Sequence, residues 1–205
     1  MFKIKFLLTL FCFFILNGCI VPSLHPLFLP EEGIGKPELV GNWIKNEQEK
    51  WIITSTNSDS NQPNISNYNL MIIQTRSDST KTEIDTALFR AVIGKIGKRE
   101  FINLIPQPRE NSESKVEFFG SLVIPHYSFG TFDFKDGKVM IGMLNSKWLA
   151  EQIEKKRNLN INCEKIDDQT YIITSRTKEL KAFAKKHVNV PAAFADSTVL
   201  TRVNN

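Results

Sequence analysis

Residues 129–144 read FGTFDFKDGKVMIGML, and this stretch predicts a β-hairpin. Asp136 and Gly137 stand between two runs in which aromatic, β-branched and polar side chains alternate. An Asp-Gly pair supplies the positive φ angles that a tight two-residue turn requires, and aromatic and β-branched residues are enriched in strands. We therefore expect one antiparallel pair over residues 129–134 and 138–144.

Further strands are predicted on both sides of this hairpin. The segment 82–93 alternates most clearly, with Ile84 and Val92 on one face and Phe89 and Ile93 on the other. Because the connections are short turns or loops, we expect antiparallel pairing, since parallel neighbours need long crossovers. The shorter runs cover residues 51–54, 68–74, 101–105, 118–124, 127–134, 161–163, 171–174 and 199–203.

Two segments in the C-terminal half have apolar residues at helical spacing instead. Asn145 or Ser146 can cap the first helix, and Ser175 or Thr177 can cap the second. The sequence therefore predicts a mainly β fold of the β-rich α+β kind. Its body is an antiparallel barrel or a strongly curved meander, with two helices in the C-terminal half.

The composition excludes several classes of protein. The chain has 205 residues, of which 41% are hydrophobic and 23% are charged, so neither a disordered tail nor a polytopic membrane protein fits. The formal net charge is +4. Without Lys3 and Lys5, the 26 basic residues fall to 24 against 22 acidic ones. This balance does not indicate a nucleic-acid partner.

The N-terminus has the pattern of a signal peptide. Lys3 and Lys5 precede an apolar run over residues 6–16, which is too short to span a bilayer. The run ends in Leu16-Asn17-Gly18-Cys19, which resembles the signal of bacterial lipoproteins. The resemblance implies cleavage before Cys19 and acylation of its thiol and amine, which would bind the mature chain to membrane lipid. An ordinary signal peptide, with Cys19 unmodified, is the alternative.

Three parts of the chain follow from this pattern. Residues 1–18 are expected to be the signal peptide, 19–37 an acylated cysteine with a Pro-rich tether, and 38–205 one β-rich domain. In the processed chain Cys163 would be the remaining unmodified cysteine, so no internal disulfide is expected. Lipoproteins that stay in the inner membrane carry Asp directly after the cysteine, whereas this chain has Ile20 there. In this respect the chain resembles lipoproteins that are exported further, and the resemblance implies the bacterial outer membrane, facing the periplasm.

Gly41-Asn42-Trp43 resembles the G-x-W signature at the entry of lipocalin-type barrels. In that family the Trp closes the base of the barrel beneath a later Arg, and the resemblance implies a lipocalin-like barrel here. The stretches 22–28, 39–43 and 144–149 also resemble a group of uncharacterised bacterial lipoproteins with a similar β-domain. The resemblance to that group implies a similar fold but no known activity.

Aromatic residues cluster before and within the hairpin. They form the core of the barrel or the wall of a pocket for a small apolar ligand. The candidate lining residues are Phe118, Phe119, His126, Tyr127, Phe129 and Phe132. No sequence pattern indicates a metal site or a cofactor, and Cys163 with His187 is a weak match to a nucleophile and its base.

These patterns lead to one expectation of function and two alternatives. We expect a membrane-anchored, non-enzymatic binding or interaction domain of the bacterial envelope, able to take a small apolar ligand. The first alternative is a structural or assembly-partner lipoprotein that has a filled core and contacts another envelope protein. The second is a hydrolase that uses His126.

Overall fold

The computed structural model describes residues 20–56, 67–77, 81–107, 126–167 and 170–203. It contains ten strands, two α-helices and three short 3-10 helices within these ranges. The strands are β1 (Gly41–Asn46), β2 (Glu49–Ser55), β3 (Asn67–Ser77), β4 (Thr82–Ile96), β5 (Arg99–Gln107), β6 (Ser128–Lys135), β7 (Lys138–Met143), β8 (Cys163–Lys165), β9 (Tyr171–Ile173) and β10 (Asp196–Arg202). The helices are α1 (Ser146–Glu154) and α2 (Thr177–His187), and the 3-10 helices are η1 (Pro30–Glu32), η2 (Pro37–Leu39) and η3 (Pro191–Phe194).

Eight of the strands close into an antiparallel barrel. Strands β1 to β7 follow one another around it, and β10 then enters between β7 and β1 to complete the ring. Closure leaves no unpaired edge in the barrel. The expected mainly β fold is confirmed, and it takes the form of a lipocalin-like barrel rather than an open meander.

The predicted hairpin is present as β6 and β7. Asp136 and Gly137 have φ angles of 53° and 70°, and Lys135 pairs with Lys138 across the turn. Both turn residues therefore adopt the left-handed conformation that the Asp-Gly pair favours. The predicted strand at 118–124 lies outside the described residues.

The chain between β7 and β10 packs on the outside of the barrel. It forms α1, the β8–β9 hairpin, α2 and η3. Asn145 caps α1, because its Oδ1 accepts a hydrogen bond from the Trp148 backbone N–H at 2.8 Å.

The cap predicted for α2 was wrong. Its N-cap residue is Arg176, and the Arg176 backbone N–H donates to the Glu179 carboxylate at 3.0 Å. The two residues that the sequence favoured are engaged elsewhere. Ser175 Oγ accepts from the Asn162 backbone N–H, and Thr177 Oγ1 donates to the Pro26 carbonyl.

Apolar side chains form two separate cores. The first, the inner core, fills the barrel and includes Trp51, Leu70 and Phe132. The second, the outer core, lies between the outer wall of the barrel and the two helices, and it includes Phe129 and Phe183. Strand β4 serves both cores in its second half, because Val92 faces outward and Ile93 faces inward, and each is fully buried.

Residues 20–40 form an N-terminal strap that runs along the outer wall of the barrel. The strap starts beside the end of β7, where Ile20 bridges to Asn145. It then crosses β5, where the Leu27 backbone N–H donates to Asn103 Oδ1 at 2.9 Å. It continues to the opposite end of the barrel, where Ile34 hydrogen-bonds to the Ile93 carbonyl and Leu39 enters the inner core.

Candidate functional site

The strap and β1 close one end of the barrel around Trp43. This side chain is fully buried, and its indole N–H donates to the Leu39 carbonyl at 2.8 Å. The guanidinium of Arg202 lies 4.8 Å from the Trp43 ring centre and also donates to the Glu38 carbonyl. Gly41 has a φ of 144°, a backbone conformation that residues with a side chain rarely adopt. Trp43 thus lies beneath an arginine, as the G-x-W resemblance implies, and this end of the barrel is sealed.

The barrel interior is filled. The space left inside it is about 10 Å³, and apolar residues line it, among them Leu70, Ile102 and Phe132. A cavity of this size is at the lower limit for one water molecule, and an apolar lining gives that water no partner. Pockets for small molecules are typically about 300–1,000 Å³. The interior enclosed by the described strands has no comparable space.

The structure does not bring the predicted lining residues to one surface. Phe132 faces the barrel interior, whereas Phe129 lies in the outer core. Tyr127 is half-buried and pairs with Ser23 of the strap through two backbone hydrogen bonds of 2.8 Å, and His126 is exposed. The predicted Phe118 and Phe119 lie outside the described residues, as does Cys19.

A buried carboxylate lies at the other end of the barrel, and the sequence analysis missed it. Glu49 is 8% exposed and faces inward on β2. Its carboxylate accepts hydrogen bonds from Trp51 Nε1 at 2.8 Å, Lys45 Nζ at 3.0 Å and Gln74 Nε2 at 3.3 Å. Burial alone would raise its pKa, but these bonds and the Lys45 charge outweigh burial and lower the pKa. Alternation of Glu49 with Trp51 in the sequence was the available signal.

The residues considered for nucleophilic chemistry do not form a reactive pair. Burial, with the negative charge of Glu164, raises the pKa of the Cys163 thiol to about 11, so the thiolate is disfavoured. His187 packs against Trp148 and Phe183, with ring centres 5.2 and 4.8 Å away. Its buried Nε2 has no hydrogen-bond partner within the described residues. His187 is therefore a half-buried residue that packs against aromatic rings.

His126 has no catalytic neighbours in the part of the chain that is described. No hydrogen bond or ion pair joins its side chain to a described hydroxyl or carboxylate, and the ring is open to solvent. A general base needs a substrate proton within hydrogen-bond reach and is normally oriented by another group. The geometry around His126 therefore offers no support for the hydrolase alternative.

The first residues of the strap belong to a small mixed sheet beside the barrel. Ser23 pairs with Tyr127 on one side and, in parallel, with Ile173 of β9 on the other. Strand β8 forms the next edge through its antiparallel pairing with β9. In this register Ile166 and Thr170, which are joined by a backbone hydrogen bond, are level with Ile20. Ile20 is 51% exposed and Ile166, directly after β8, is 62% exposed.

No helix within the described ranges is long and apolar enough to cross a membrane. The same ranges contain no group of three or more His, Cys, Asp or Glu residues placed to hold a metal ion. The chain matches no known protein family, no curated protein and no solved structure.

Proposed function

We propose that this chain is a lipid-anchored, non-enzymatic protein of the bacterial cell envelope. In this proposal its filled barrel is a rigid scaffold, and its outer surface makes the functional contacts with another envelope component. The observation that carries the proposal is the interior of the barrel, where about 10 Å³ remains unfilled. A carrier of small apolar molecules needs an interior at least an order of magnitude larger.

Support for the anchor comes from the sequence. A basic start, an 11-residue apolar run over residues 6–16 and a cysteine three positions after the end of that run form the lipoprotein pattern. Several acyl chains on Cys19 would hold the protein on a bilayer, because each buried CH₂ contributes about 0.8 kcal/mol. Ile20 and Val21 follow the cysteine, where lipoproteins that stay in the inner membrane carry Asp. We therefore propose that the protein lies on the outer membrane, facing the periplasm.

The anchor is tested by metabolic labelling of the full chain with radioactive palmitate in a Gram-negative host. We expect label in the wild type and none in Cys19→Ala, which should also keep the mass of the unprocessed chain. Cys163→Ala is the matched control, and it should be labelled like the wild type. Label that persists in Cys19→Ala, or is missing from the wild type, would overturn the anchor.

The scaffold role is tested by native mass spectrometry of the acylated protein released from detergent micelles. The expected mass is that of the processed chain and its acyl groups alone. An additional mass of a few hundred daltons that is lost on denaturation would overturn the scaffold role. It would show that the protein carries a small ligand.

A further inference from the structure

The strap is fixed to the folded body from its first described residues. Val21 is 4% exposed and Ser23 is fully buried. The Leu24 backbone N–H donates to the Ile173 carbonyl, and the Ile173 N–H donates to the Pro22 carbonyl, both at 2.9 Å. Together with the Ser23–Tyr127 bonds, these contacts hold residues 22–24 on both edges. The chain is therefore fixed to the folded body at least from Val21 onward.

This early start leaves almost no linker for the proposed anchor. Cys19 directly precedes Ile20, so the Cα atoms of these two residues are about 3.8 Å apart. A flexible tether through residue 37 would instead span a root-mean-square distance of about 21–25 Å. An acylated Cys19 would therefore restrict the orientation of the barrel on the membrane, because the body cannot move away from the headgroups.

The surface next to Cys19 can be named from the register. Ile20 and Ile166 lie level with each other at the same end of the small sheet, two strand spacings or about 10 Å apart. Both are large apolar side chains that are more than half exposed. An exposed apolar pair of this kind beside a lipid attachment point suits the boundary between headgroups and acyl chains.

We propose that the edge formed by Ile20 and by Ile166, directly after β8, is the membrane-contacting surface of this protein, and that it lies in the headgroup region of the bilayer. The proposal rests on acylation of Cys19. The occupant of this surface is the lipid bilayer to which the chain is anchored. The sealed end of the barrel, with Trp43 and the β6–β7 turn, is then held away from the membrane.

The test measures the depth of a fluorescent probe in the bilayer. The acylated chain is made in a Cys163→Ala background with Ile166→Cys, and the new thiol is labelled with a nitrobenzoxadiazole dye. Lys135→Cys, exposed at the sealed end, is the matched control. Both proteins are inserted into phosphatidylethanolamine–phosphatidylglycerol vesicles that contain doxyl-labelled phospholipid. We expect quenching at residue 166 to be about threefold stronger than at residue 135, as for a probe 5–10 Å into the interface.

A second variant tests the short linker itself. Twelve Gly and Ser residues inserted between Cys19 and Ile20 should reduce quenching at residue 166 to the level of residue 135, because the body can then move away. Equal quenching at both positions without the insert would overturn the proposal, and so would quenching that the insert leaves unchanged. Protein that carries no acyl group would contradict the anchor instead, and palmitate labelling of the same sample separates the two failures.

Discussion

The ring of Phe28 lies directly on Gly94, so that a Cβ at position 94 would be 2.5 Å from Phe28 Cδ1. Phe28 belongs to the strap and is 3% exposed, whereas Gly94 belongs to β4. Lys181 of α2 lies over the same ring, 5.5 Å from its centre, and pairs with Glu32 of the strap. This contact therefore joins the strap, the barrel and α2 at one point.

Gly94→Ala is expected to destabilise the protein by about 1–3 kcal/mol, the usual cost of an overpacked core. The added methyl group must displace the Phe28 ring. The free energy of unfolding is measured in urea, with exposed Lys95→Ala on the same strand as the control. In a Phe28→Ala background the cost of Gly94→Ala should largely disappear, and an unchanged cost there would contradict the contact.

Arg202→Ala is expected to reduce the free energy of unfolding by about 1–2 kcal/mol, because it removes the cation from the Trp43 ring and the bond to the Glu38 carbonyl. Lys138→Ala, exposed on neighbouring β7, should change it by less than about 0.5 kcal/mol. Thermal unfolding of the two variants gives the comparison. Equal effects would mean that Arg202 does not seal the barrel.

Glu49 makes stability depend on acid pH. Its pKa is below the ordinary 4.5, so the folded state favours the carboxylate. As the pH falls from 4.5 through the lowered pKa, the unfolded chain takes up the proton more readily and stability is lost. Glu49→Gln should therefore cost stability at pH 7, by about 1–3 kcal/mol, and the cost should shrink towards pH 3.

Urea unfolding of Glu49→Gln is measured across this pH range, and Glu47→Gln, exposed in the adjacent turn, is the control. The control should follow the wild type at every pH. A Glu49→Gln deficit that is the same at pH 7 and pH 3 would show that the carboxylate does not titrate within the folded protein as inferred.

Phe132→Ala should open a pocket inside the barrel. Phe→Ala substitutions in cores cost about 3–5 kcal/mol and leave a cavity that can bind small aromatic molecules. We expect the variant to bind benzene or indole, detected by a rise in melting temperature, whereas the wild type should not respond. Phe129→Ala is the matched control, because it removes a phenylalanine ring from the outer core and leaves the barrel interior unchanged. A wild-type response equal to that of Phe132→Ala would mean that the interior is not filled.

Local parts of the fold were predictable because local chemistry determines them. The Asp136-Gly137 turn needs only two residues with positive φ, and the α1 cap needs only the Asn145 side chain beside the Trp148 backbone. The two faces of β4 also follow from alternation. Alternation does not predict how burial changes along the outward face, where Ile84 is 66% exposed and Val92 is fully buried. The strap and the outer core cover the Val92 end only.

The remaining features depend on contacts between distant parts of the chain. Barrel closure by β10 joins residues near 200 to β1, and no local pattern encodes that pairing. Whether aromatic residues fill a barrel or line a pocket depends on packed volumes, so alternation could place Phe132 inward but could not predict the filled interior. The hydrogen-bonded group around Glu49 was missed because Lys45 and Glu49 lie in a polar stretch that is typical of a turn. Gln74 comes beside Glu49 only when β2 and β3 pair in the fold.

The path of the strap also sets the order in which the protein can fold. The strap is the first described part of the chain to be synthesised, yet its partners come much later, since Thr177 donates to Pro26 across 151 positions. Contacts of such long sequence separation form slowly. The contacts of the strap with β9 and α2 therefore cannot form until those two elements have been made, so docking of the strap is completed late in folding.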